Sequence, residues 1–169
     1  MTLRGAFFDH QGQLSGEVEL DGRVCDCCQT TAAMTEQGLI VAYRDRSETE
    51  IRDIAIVRQA NGEWLSPQAL FKDNWTINGC PVNGPAIHAE GANVAIAWYS
   101  MPGEQAEVKV AFSTDSGAHF SAPIRIDEGD PLGRVDVLLL SATEALVSWM
   151  EKTETDAHIK LLKVKANGS

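Results

Sequence analysis

A repeat of about 50 to 55 residues constrains what this chain can fold into more than any other feature. Gly38-Leu39-Ile40-Val41-Ala42-Tyr43-Arg44 reads like Asn93-Val94-Ala95-Ile96-Ala97-Trp98-Tyr99, and both read like Ala145-Leu146-Val147-Ser148-Trp149-Met150. Tyr43, Trp98 and Trp149 fall 55 and 51 residues apart. After a polar loop each run is followed by another, at Ile54 to Val57, Val108 to Phe112 and Ile159 to Val164. Alternation in the last two predicts strands with one buried face. Two of these pairs lead into turns, Ala60-Asn61-Gly62-Glu63 and Asp115-Ser116-Gly117-Ala118, where glycine accepts positive φ. Short strands are predicted next, at Pro67 to Leu70 and Ala122 to Ile126, and their prolines suit an outer edge.

The third copy stops inside its equivalent turn, at Ala166-Asn167-Gly168-Ser169. The start, Ala6 to Gln13 followed by Gly16 to Leu20, reads like the last hairpin of such a unit. The chain therefore divides into residues 1–22 (the end of a unit), 23–71 and 72–127 (whole units), and 128–169 (the first strands of a further one), all in a single domain. Helix-period patterns with caps are absent. The expected fold is all-β: a β-propeller of four-stranded antiparallel blades, about three blades to the chain. Three blades leave two blade faces bare. Either a homodimer closes a six-bladed ring, or missing propeller blades come from a longer chain.

Ser113-Thr114-Asp115-Ser116-Gly117-Ala118-His119-Phe120 resembles the Asp-box, or BNR repeat, of sialidase-like propellers, with Ser113, Asp115, Gly117 and Phe120 at the motif positions. It falls between the third and fourth strands of its repeat, where that family carries it. Residues 59–64 form a degenerate version one residue shorter and without the Asp. The resemblance implies the fold. It does not carry over the family's catalytic set, an arginine triad, an acid Asp and a Tyr–Glu pair. Tyr43 and Tyr99 are the only tyrosines, and both sit in strand runs.

Strand order puts the Asp-box turn on one face and most of the unusual polar residues on the other. Cys25, Cys27 and Cys28 precede the first strand of one repeat, and Cys80 stands at the corresponding place in the next. Adjacent blades would bring these thiols together. Three readings stay open: a disulfide, from Cys80 to one of the three; a Zn or Cu thiolate site; or unpaired cysteines. Disulfides would favour a periplasmic or extracellular setting, although Met1-Thr2-Leu3-Arg4-Gly5 lacks the apolar core of a signal peptide.

Arg44, Arg46, Trp75, Asn78, Asn83 and Arg134 are the candidate ligand-binding residues, the arginines for a carboxylate or sulfated sugar and Trp75 as a stacking platform. Arg44, Asp45, Arg46, Asp136 and Glu151 are the candidates for catalysis. His88 and His119 read as core and turn residues. The formal net charge of −10 argues against nucleic acid and anionic membranes as partners. Two functions are weighed. One is a sialidase-like module binding a ligand or partner through the cysteine- and arginine-bearing face, with no cofactor required. The alternative is an exo-sialidase-like glycoside hydrolase acting on an acidic glycan.

Overall fold

A computed structural model describes residues 1–168, which form an all-β chain of four antiparallel sheets. The first is the hairpin β1 (Leu3–Phe8) and β2 (Leu14–Asp21). In the second, β3 (Thr31–Thr35), β4 (Gly38–Arg44) and β5 (Ile54–Ala60) run in order. Its outer edge is shared by the short β6 (Glu63–Trp64) and β7 (Gln68–Ala69). The third holds β8 (Ala86–Glu90), β9 (Asn93–Ser100), β10 (Glu107–Ser113) and β11 (Ile124–Arg125). The fourth holds β12 (Pro131–Ser141), β13 (Glu144–Lys152) and β14 (Ala157–Lys165).

The repeat surfaces as packing. Ile40, Ala42, Ile54 and Ile56 of the second sheet meet Ile87, Val94, Ile96 and Trp98 of the third. The far face of the third sheet, with Ala95, Ala97, Val108 and Val110, meets Val135, Val137, Val147 and Trp149 of the fourth. The hairpin closes the other side of the second sheet through Leu20, Val18 and Leu3 against Tyr43, Ala55 and Val57. Because side chains alternate across a strand, each central strand feeds two cores at once. The fourth sheet has one core only. Its outer face shows Leu138, Leu140, Ile159 and Leu161 to solvent.

A buried polar latch recurs with the strands. The aromatic residue of each second strand gives its polar tip to a carboxylate: Tyr43 Oη to Asp21 at 2.5 Å, Trp98 Nε1 to Asp73 at 2.8 Å, and Trp149 Nε1 to Glu151. An aromatic can be buried this way without stranding its donor.

The turns follow the residues that specify them. Asn61 and Gly62 both take positive φ, joining β5 to β6 in two residues. In the 113–121 turn, Asp115 Oδ1 accepts from Ser113 Oγ (2.8 Å) and the His119 N–H (2.9 Å), and the Gly117 N–H donates to Ser113 Oγ (3.0 Å). A Cβ on Gly117 would stand 2.4 Å from Ile40 Cδ1, so this turn also seats the neighbouring sheet. Asp9 Oδ1 accepts from the Gln11 and Gln13 N–H groups in the turn after β1, so the first hairpin closes by the same carboxylate device.

Candidate thiol and guanidinium site

The segment before β3 is pinned at its start. Val24 bridges to Asp45, and the Cys25 N–H donates to the Arg44 carbonyl at 3.0 Å. From that anchor the chain folds over itself. Cys25 Sγ lies 3.5 Å from Cys27 Sγ and 3.4 Å from Cys28 Sγ, and all three sulfurs fall within 4.8 Å of one another. Cys25 is buried and the other two are half-buried. Burial, together with the hydrogen bond shared with Cys25, pushes the Cys28 thiol up to about 12, against the pull of Arg44 and the Asn83 N–H. A thiophilic metal entering here must displace that proton.

Cys80 departs from the expected convergence: it is an exposed thiol outside the three-sulfur group. All four cysteines are free, so of the three readings the disulfide to Cys80 is not formed in this structure. The loop enters the site through its backbone instead. Gln29 Oε1 accepts from the Gly84 N–H at 3.0 Å, locking the thiol segment to the approach to β8. Asn83 repeats the move one sheet further on, with Oδ1 accepting from the Arg134 N–H at 3.0 Å.

Two guanidiniums stand beside the sulfurs. Arg44 is 1% exposed and donates to three carbonyls, Asn83 O at 2.8 Å, Arg52 O at 2.5 Å and Tyr99 O at 2.6 Å, and it also bonds the Cys28 sulfur. Its guanidinium lies 4.8 Å over the Trp75 ring, which meets Tyr99 edge-on. Burial draws Arg44 below its ordinary value, and the neighbouring Cys28 and Cys25 oppose that shift. Arg52 Nη1 points at Cys25 Sγ, 3.2 Å away, while its Nη2 pairs with Glu50 at 2.7 Å. Glu50 also takes Arg46, at 2.8 Å, and these two guanidiniums hold its carboxyl down at about 2. Arg52 was singled out by no sequence motif; its alternation with Ile51 and Asp53 in a polar loop gives no sign of burial.

The other candidates scatter. Trp75 is a core residue, 5% exposed, with its ring against the Arg44 guanidinium and the edge of Tyr99. Glu151 is buried and taken up by Trp149 Nε1 and the Asp130 N–H. Asp136 caps its own neighbour, Val137, from the outer side of β12, where Arg134 is also exposed. Asn78 is exposed. Asp45, half-buried, is raised by desolvation above the ordinary carboxylate range, although the Arg46 N–H it accepts works the other way. Three of the five candidates for catalysis already have partners within the fold: Arg46 pairs with Glu50, Arg44 with carbonyls and Glu151 with Trp149. No family model and no curated protein sequence matches this chain.

Proposed function

We propose that this chain is a sialidase-like propeller module without glycosidase activity, and that its cysteine- and arginine-bearing end binds a thiophilic metal ion. One observation carries the reading: three thiols lie within 4.8 Å of one another in a segment anchored by backbone bonds at Cys25 and by Gln29. Such a group has the donor chemistry of Cu(I) and Zn(II) sites. The propeller reading is supported by sheets that stack face to face in sequence order, with β3 beside β8 and β8 beside β12. The bare apolar face of β12–β14 supports a further sheet covering it, as in a ring closed by two copies.

The glycoside hydrolase reading gains no support from side chains already bonded within the fold. A metal count on the reduced chain, beside a fluorogenic sialoside assay, tests the proposal. One soft metal ion per chain and no turnover is the expected result. Sialoside turnover without metal uptake would overturn it. A solution mass of two chains is expected, and the mass of one would remove the ring.

A further inference from the structure

We infer that the ion this site is built for is monovalent copper, held by Cys25, Cys27 and Cys28 alone, with Arg44 and Arg52 balancing the charge of the loaded centre. The inference rests on the thiophilic-metal reading above and narrows it. Three observations point the same way.

The first is ligand number. Among the described residues, no imidazole or carboxylate joins the three sulfurs in one group. A structural zinc ion takes four protein ligands in a tetrahedron. Here the flank of Cys25 is occupied by the Arg52 guanidinium, a cation that no metal accepts as a ligand. Three thiolates and nothing else suit a soft ion content with three.

The second is spacing. Sulfurs placed about 2.3 Å from a metal in a trigonal plane stand about 4 Å from one another. The Cys25 sulfur lies 3.5 and 3.4 Å from the other two, so these two separations need open by only about half an ångström, and all three sulfurs already fall within 4.8 Å. Closing a disulfide would require bringing two of them to about 2.05 Å, a much larger movement.

The third is charge. Three thiolates around a monovalent ion leave two negative charges, while a divalent ion leaves one. Arg44 and Arg52 are 1% and 4% exposed. Glu50 is shared among Arg52, Arg46 and Arg23, and the hydrogen bonds of Arg44 go to three carbonyls and the Cys28 sulfur, with no carboxylate among them. Arg52 Nε is buried and without a partner. Buried guanidiniums left with this little anionic compensation match a centre that is doubly negative when filled.

The test is a competition on the full, reduced chain under anaerobic conditions. Cu(I) and Zn(II) are offered together at equal concentration, each buffered by a chelator, and bound metal is counted. One copper per chain, with zinc displaced, is expected. The Cys80→Ser chain should bind as the wild type does, and Cys27→Ser should lose the ion. Arg52→Gln should weaken copper binding about 10- to 100-fold, as loss of an outer partner of a metal site does, and Arg52→Lys should restore part of it. If zinc stays in the presence of copper, the inference fails and the thiophilic-metal reading stands. If neither metal binds, both fail. Copper affinity unchanged in a folded Arg52→Gln chain would overturn the charge balance.

Discussion

The segments that lead into β3 and β8 occupy the same place in the repeat and do opposite work. The first, residues 23–30, gathers three sulfurs into one group. The second, residues 72–85, carries a lone exposed cysteine and contributes its backbone: Asn83 O to Arg44, and Gly84 to Gln29. One segment holds the reactive groups, and its neighbour fixes their geometry. A repeat makes this division available, because stacking brings equivalent loops together at one end of adjacent sheets.

The largest expected effect comes from removing the link between them. Arg44→Met strands three buried carbonyls, so unfolding in urea should show a loss of about 3–5 kcal/mol. Stability close to wild type would mean that Arg44 is a surface binding residue after all. Next is Gly84→Ala. The added Cβ would stand 2.0 Å from the Gln29 carbonyl oxygen. A loss of about 1–3 kcal/mol is expected, with faster thiol labelling as the 23–30 segment loosens.

Labelling of the native chain sharpens the contrast at lower cost to the fold. Near pH 8 a disulfide reagent should modify Cys80 first, because it is exposed. Cys25 should lag through burial and Cys28 through its raised thiol, so Cys80→Ser should remove the fast phase alone. Equal rates at all four would place Cys80 in the group.

The smallest effect is on pH dependence. Glu50 ionises at about 2 in the folded chain against an ordinary 4.5. A depressed carboxylate stabilises the fold above its unfolded value, and that contribution disappears as pH falls from 4.5 towards 2. Glu50→Gln should lack this increment of acid sensitivity, read as a shallower fall in the unfolding midpoint over the same window. Identical pH profiles would remove the Arg46–Glu50–Arg52 network from the account.

Much of the frame was legible in the residues. The Tyr43, Trp98 and Trp149 spacing located the central strands, and Asn61-Gly62 and Asp115 to Gly117 located two of the turns. These signals are local: a two-residue turn needs φ > 0, and a buried strand needs alternation. The site was only half legible. The clustering of Cys25, Cys27 and Cys28 could be seen, since four consecutive residues cannot separate far. The placement of Cys80, Trp75 and Arg44 depended on how neighbouring loops settle, and sequence spacing does not report that. Arg44 looked like a ligand arginine because nothing in its neighbours foretells three carbonyls converging on it. The partners of Gln29 and Arg52 are equally unmarked by their neighbours in sequence.

X-ray absorption at the copper edge of the Cu(I)-loaded chain tests the account most directly. Three sulfur neighbours at about 2.3 Å are expected, unchanged in Cys80→Ser. A shell of two sulfurs, or one containing nitrogen or oxygen, would contradict a centre made by Cys25, Cys27 and Cys28.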